Sequence, residues 1–547
     1  MKLSFILFLF IPLISQAQFT NWEWAKRSNC STDDYASHVA VDQYGNVYIA
    51  GEFTGTFSLG SYTFTSEGDK DIYVAKYDEM GTLLWADAFG GKNADGVRDI
   101  KVDANNALYI TGFITDTVQI GTNILVGNGD WDVLFAKYNE NGGIEWAKSA
   151  GSFERDYGTS IAVSNSGDVL FTGMFSENPI TIDSQPLGNA GNDDIFIASF
   201  NQPGNLNWAR RYGGGGYELA YSIDVDGSDN IYVTGQFSST INFGSGQINP
   251  ISEGFVLGDI YVAKLDPAGN GLWANPIGGV KSWTSDGGML NITELKVSSS
   301  GDIYVLGNFD NCKLKFHNGT LTSHKYMQDF IAKYNNNGSY LWSSLTGNGA
   351  SRIEDLYMDG NDGIYLCGRS QTNAVFGTDT LYCNAWDALI AKYNSAGSVE
   401  WVKNFGGSSV ETVRAFAKDH NGNFYFAGQY LNNEFSFGGD TLFNAGGASS
   451  FLVKISQPVS VSELFRSEDK LLGYPNPVKG IYTTDIQPGE FDKYTIVSAL
   501  GQPVSSGPVA SDNIKFQFNV DRLPPGTYIL MLSNKEHSKP NKFLVER

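Results

Sequence analysis

Cysteine, histidine and positive charge are all scarce in this chain. Four cysteines in 547 residues are too few for a disulfide scaffold. Cys367 and Cys383, close in sequence, would form one local bridge or stay as two buried thiols. The five histidines, His38, His317, His324, His420 and His537, share no pattern. His317 and His324 have no neighbouring Cys or carboxylate at zinc-ligand spacing, and neither a metal nor a cofactor is expected. A Gly-x-Ser-x-Gly elbow, a phosphate-binding Walker loop and a dinucleotide fingerprint are all missing. With 37 Lys and Arg against 59 Asp and Glu, the formal charge is −22. Such a chain repels phosphates, which argues against a nucleic-acid partner.

Long apolar runs are missing too, with one exception. Met1-Lys2 is followed by a nearly unbroken apolar stretch to Ile14 and by Ser15-Gln16-Ala17, a small-x-small cleavage pattern. Residues 1–17 read as a secretory signal peptide, too short to span a membrane. An exported protein with no transmembrane segment in the mature chain is expected.

What is abundant is glycine, 63 residues, and aromatics at 14%, the composition of short strands joined by tight turns. The stretch "GNVYIAGEF" (Gly45–Phe53) returns six times, and its glycine marks each copy: Gly51, Gly112, Gly173, Gly235, Gly307, Gly368 and Gly428. The spacing is close to 61 residues, with one interval of 72. Two further markers keep register. One is Trp followed by a small residue or Val, at Trp24, Trp85, Trp146, Trp208, Trp273, Trp342 and Trp401. The other is "DIYVAKYD" at Asp71 and its relatives, with a worn copy "SSFLVKI" at Ser449. Asp-x-x-Gly joints such as "DQYGN" and "DEMGT" suit type I turns closed by a left-handed glycine. They lack the ligand run of a calcium loop.

Each unit therefore holds four strand-like segments, and four antiparallel strands at this period describe a propeller blade. Trp24 precedes any complete unit, while the seventh unit stops near Ile455 without its Trp strand. The N-terminal strand is expected to supply it, closing a seven-bladed ring across residues 18–456 and removing exposed edges. The combined pattern, "VD..GN.Y..G.F" through "D.fvAKyd..G...Wa...GG", resembles the bacterial secreted β-propeller repeat family. That resemblance implies a fold and export but no reaction.

After a polar linker (457–470), residues 471–547 change character. "YPNPVKG" (Tyr474–Gly480), "YTIVSALGQPV" (Tyr494–Val504) and "DRLPPGTYILML" (Asp521–Leu532) alternate strands with Pro and Gly turns, fitting a small β-sandwich. These motifs resemble the type A C-terminal sorting domain of the Bacteroidetes type IX secretion system, carried in this chain by Tyr474, Pro475, Asn476, Pro477, Gly501, Gly526 and Tyr528. The resemblance implies export across the outer membrane and removal by a sortase-like peptidase, with the product anchored at the cell surface or released.

Candidate ligand residues come from two observations. Seventeen positions before the marker glycines stand Asp34, Asp95, Asp156, Glu218 and Glu411, with Leu290 and Ser351 in the other two units. These acids are expected at one end of the central channel, either as a cation or amine site or as acceptors of backbone N–H groups from the neighbouring blade. Trp283 lies in the longest of the loops joining one unit to the next, and the stretch Ile248–Gly258 is also extended, so binding is expected on the face carrying both. The repeated Trp and the Lys of "AKY" read as packing between blades. "DTV" at Asp116 and "DTL" at Asp379 and Asp440 resemble an O-glycosylation signal of the same bacteria. The reading that follows is a secreted or surface binding or adhesion protein. A glycan hydrolase or lyase, or a structural surface component, is the alternative.

Overall fold

The computed structural model describes residues 22–456, apart from 31, 253–257, 282–289, 311, 324–327, 361, 372, 384–385, 407–409, 432–433, 438–439 and 444–447. It also describes 473–545, apart from 475–477, 499–502 and 535–537. The signal segment, the linker, Trp283, Pro475, Asn476, Pro477 and Gly501 fall outside these residues. The chain divides into a unit spanning Trp22–Ile455 and a C-terminal unit.

Among the described residues every regular element is a strand. In the larger unit the second unit of the repeat shows the pattern: Gly96–Val102, Leu108–Ile114, Asp132–Tyr138 and Ile144–Ala150 pair antiparallel in that order. Seven such four-strand sets follow one another in the described residues, one of them extended to six strands by a neighbouring hairpin. The last set is completed from the other end of the chain, Trp22–Arg27 pairing with Ser449–Ile455. The architecture is an all-β propeller followed by a small two-sheet β unit.

The marker glycine has a steric cause. In all seven units the inner strand bulges opposite it, placing two residues against one, as at Gly96/Val97 through Asp99. The bulge turns an inner-strand carbonyl toward the glycine. A Cβ there would lie 1.8–2.4 Å from that oxygen in every copy, Tyr157 O against Gly173 being typical. The glycine that follows the fourth strand is excluded from carrying a side chain in a similar way. At Gly90, Gly151 and Gly213 a Cβ would meet the carboxylate that opens the third strand, Asp71, Asp132 or Asp194.

Trp and Lys join one sheet to the next through a shared acceptor. Trp85 Nε1 and Lys76 Nζ both donate to Glu140 O, at 3.1 and 3.3 Å. Trp146 and Lys137 do so to Gln202 O, Trp273 and Lys264 to Asn336 O, and Trp342 and Lys333 to Ser395 O. The lysines also sit over the tyrosines of second strands, Lys76 being 4.6 Å from the Tyr48 ring centre, where a cation–π attraction adds to packing.

The connection from second to third strand exceeds the four-strand expectation, carrying a short hairpin in every unit, for example Val118–Ile120 with Asn123–Leu125. Its apolar side chains, such as Val118, Ile120 and Leu125, belong to the core between adjacent sheets. Several of these hairpins pack against the fourth strand of their own sheet, which covers an edge that would otherwise be open. Cys30, Cys312, Cys367 and Cys383 are free and buried, so the bridge between Cys367 and Cys383 does not form.

In the C-terminal unit, Gly473–Tyr474, Ile481–Asp485 and Lys515–Asn519 make one sheet, and Pro503–Pro508, Lys493–Ser498, Gly526–Ser533 and Ser538–Val545 the other. Tyr482, Phe516, Leu530 and Phe543 from both sheets share one core. The buried Tyr528 donates its hydroxyl to Pro524 O at 2.8 Å, fastening the "PPGTY" turn to the strand it precedes.

Candidate functional site

The inner strands of the seven sheets surround a central cavity of about 440 Å³. At the bulge position of each strand stand His38, Asp99, Ser160, Ser222, Glu294, Asp355 and Ala415. These polar groups mostly stitch sheet to sheet. Asp99 accepts the amide of Ile161 at 2.8 Å, Ser222 that of Leu295 at 3.1 Å, and Asp355 that of Phe416 at 3.0 Å. Lys296 lies among Glu294, Asp224 and Asp355, whose charges outweigh its burial and raise its pKa. The cavity wall is thus a compensated polar lattice.

The five repeated acids are in the wall behind it. Asp34, Asp156, Glu218 and Glu411 are fully buried and Asp95 is 1% exposed. Asp95 accepts the amides of Gly91 and Thr115 at 2.6 and 2.9 Å, and Asp156 those of Ser152 and Ser176. Glu218 accepts from Gly214 and Ser239, and Asp34 from Ser450 of the preceding sheet. Asp95, Asp156 and Glu218 fasten the loop that enters their inner strand, Asp34 reaches the preceding sheet, and all five, Glu411 included, are buried. Trp283 and residues 253–257 lie outside the described residues, so other side chains define the face they mark. Leu290 and Ser351, at the matching positions of the other two units, are buried as well.

Burial pushes the carboxyl pKa of Asp95 and of Asp156 up to about 7, against the stabilising backbone donors. Both values lie above the usual carboxylate pKa of about 4, so between about pH 4 and 7 the folded protein holds protons that the unfolded chain releases. Stability then rises as pH falls through this window. The melting temperature is expected to be higher at about pH 5.5 than at about pH 8, and the double change Asp95→Asn, Asp156→Asn should flatten that slope. An unaltered slope in the double variant would refute the assignment.

On the face where inner strands begin, the residues beside the buried acids form a continuous arc. Tyr35 donates to Glu52 at 2.8 Å, and Glu52 pairs with Arg98 at 3.3 Å. Arg98 lies 4.9 Å from the ring of Phe113, which stacks on Trp131 at 4.2 Å. Trp131 in turn meets Tyr157 edge-on at 5.6 Å and carries Arg155 at 4.8 Å. In the other direction Arg414 sits 5.7 Å from the ring of Tyr35. Beyond it come Arg352, Glu354 and Arg369, the last 4.9 Å from the ring of Trp386. Opposite the arc the described residues Tyr221, Gln236, Asn291 and Asn308, all uncharged, hydrogen-bond among themselves.

The repeat pattern points to none of the arc. Its members occupy four columns that vary between units: the residue after the marker glycine, the residues at and beside the bulge, the residue before the third strand and the residue before the repeated acid. Variation beside invariant positions is the signal that could have found them, since Glu52, Phe113, Met174, Gln236, Asn308, Arg369 and Gln429 fill one column with unrelated chemistries. Among the described residues no cluster of His, Cys, Asp and Glu is placed to hold a metal ion.

Residues 473–546 match the secretion system C-terminal sorting domain, and residues 207–243 match the beta-propeller repeat. The chain is 23% identical over 475 residues to an uncharacterized WD repeat-containing protein of Acanthamoeba polyphaga mimivirus, covering 70% of this chain and 33% of that protein. It is 24% identical over 394 residues to the regulatory protein FlaEY of Caulobacter vibrioides, covering 64% of this chain and 40% of that one. It thus spans well under half the length of either relative. Among solved structures, the Pan2 WD40 domain of Neurospora crassa is similar at TM-score 0.40 and 11% identity, covering 78% of this chain and 90% of that one. A polysaccharide lyase of family PL25, an ulvan lyase, is similar at TM-score 0.37 and 11% identity, with 77% and 97% covered. The propeller thus carries a match to the beta-propeller repeat, and the chain a C-terminal sorting domain match that implies export by the type IX secretion system, a system of Bacteroidetes.

Proposed function

We propose that this is a cell-surface or secreted glycan-binding protein, non-enzymatic, that holds its ligand on the Trp131 side of the propeller rim. The reading is carried by one observation, the aromatic run Phe113–Trp131–Tyr157 flanked by Arg98 and Arg155. Trp131 is only partly buried, and a partly exposed aromatic face is a flat apolar surface on which a sugar ring can stack. Arginines at its edges supply donors for hydroxyl or acidic groups. Asp130 neutralises Arg155 at 2.8 Å, which steadies the guanidinium against the ring. The sorting domain supports the location: a protein delivered outside the cell meets polysaccharides and matrix rather than metabolites. In this reading the secretion machinery and its sortase-like peptidase are the partners during export.

The test is a surface-binding assay on cells producing the protein, using immobilised oligosaccharides. The wild type should bind a subset. Trp131→Ala should lose about tenfold or more in affinity, as expected for loss of one stacking partner of roughly 1.5 kcal/mol, measured well below the melting temperature of the variant. Deleting residues 473–547 should abolish cell-surface binding by leaving the protein inside. Retention of full affinity by Trp131→Ala would overturn the assignment of the rim.

A further inference from the structure

The opposite end of the arc differs from the Trp131 end in its charge balance. Three guanidinium groups stand there, two of them beside one carboxylate. Glu354 Oε1 lies 3.3 Å from Arg352 Nε and 3.9 Å from Arg369 Nε. Arg414 is near enough to act on Arg369 electrostatically. Burial lowers the pKa of the Arg369 guanidinium, and the charges of Arg352 and Arg414 push the same way against Glu354. The Nε atoms of Arg369 and Arg414 are both buried without a hydrogen-bond partner. Other cations of this face are matched: Lys70 and Arg98 share Glu52, and Arg155 has Asp130.

A surplus of guanidinium in a chain of net charge −22 runs against the overall composition, and an orphaned buried donor costs free energy until something accepts from it. Each planar guanidinium offers paired donors that match the two oxygens of a carboxylate or sulfate. Trp386 and Tyr35 frame the cluster with aromatic faces, so a ring carrying the anion would find apolar surface beside the charge.

We infer that Arg352, Arg369 and Arg414 form an oxyanion subsite that recognises the acidic group, carboxylate or sulfate ester, of an acidic glycan. This deepens the reading of the rim as a glycan-binding surface and rests on it. The anion would sit toward the cavity mouth, where Arg414 and Glu354 line the wall, while neighbouring sugar units extend along the arc toward Trp131.

The experiment uses the full chain and four probes: inorganic sulfate, a uronate oligosaccharide, a sulfated oligosaccharide and an uncharged oligosaccharide of equal length. Sulfate should raise the melting temperature of the wild type and not that of Arg369→Met or Arg414→Met, substitutions that keep an apolar stem in place. One acidic oligosaccharide or both should bind, with affinity falling as salt rises. Each Arg variant should weaken that binding about 10- to 100-fold, the range for losing hydrogen bonds to a charged group. Which of the two acidic probes binds identifies the anion, and either supports the subsite. Unchanged affinity in both Arg variants overturns it, as does failure of sulfate and both acidic probes to bind. Binding of the uncharged probe alone, lost in Trp131→Ala, would overturn the subsite and leave the rim reading intact. Arg-dependent binding indifferent to Trp131→Ala would do the reverse.

Discussion

Gly173→Ala should destabilise the propeller by about 3 kcal/mol or more, although it adds a single methyl group to a buried strand. The new Cβ would sit 2.1 Å from Tyr157 O, with the ring of Phe196 2.6 Å away on the other side. Overpacking commonly costs about 1–3 kcal/mol where side chains can yield. Here the closest neighbour is a backbone carbonyl held in a bulge, and moving it would break the pairing of Gly158 with Gly173 and of Ser160 with Thr172. Gly188→Ala is the matched control. Nothing lies within 4 Å of its Cβ position and its backbone is not left-handed, so its effect should stay within about 0.5 kcal/mol. Chemical denaturation midpoints of the two variants measure the contrast. Equal midpoints would mean that the bulge does not dictate the glycine.

That glycine shows where sequence reading succeeds and where it stops. A residue repeated at Gly51, Gly112, Gly173 and four later positions is visible in the sequence, and with the Trp and "AKY" markers it predicts a propeller. Its cause is not visible, because the clash is with a carbonyl whose position depends on strand register. The acids at Asp95 and Asp156 are legible as a column for the same reason, but their orientation is not. A carboxylate near a channel end and one folded back onto Gly91 and Thr115 amides give the same spacing. The arc lies furthest beyond reach. Its contacts join columns that differ in every unit, and one of them brings Arg414 to Tyr35 across the junction of the chain ends. Sheet adjacency creates that neighbourhood, and periodicity averages it away.

Removing Trp22–Arg27 should damage the propeller more than Gly173→Ala does. This strand is the outer member of the last sheet, in register Ala25↔Val453 and Arg27↔Phe451. It also rebuilds the Trp–Lys junction from two distant parts of the chain. Trp24 Nε1 and Lys454 Nζ both donate to Glu79 O, each at 3.0 Å, as Trp85 and Lys76 do to Glu140 O within one continuous unit. Lys454 further pairs with Glu23 of the N-terminal strand at 2.9 Å. Deletion therefore removes a sheet ladder, an indole against the next sheet and an ion pair, and leaves Ser449–Ile455 as an unpaired edge open to aggregation. Trp24→Ala alone should cost roughly 3 kcal/mol, at the lower end of the range for buried Trp, because Trp24 is less buried than Trp85. The deletion should cost more than that and lower solubility. An equal-length deletion within residues 457–470 is the comparison, since it removes neither partner of this junction. Melting temperature and the fraction remaining soluble after heating separate the two. If both deletions melt alike, the N-terminal strand does not hold the propeller closed, and the pairing of Trp24 with the last sheet contributes little to stability.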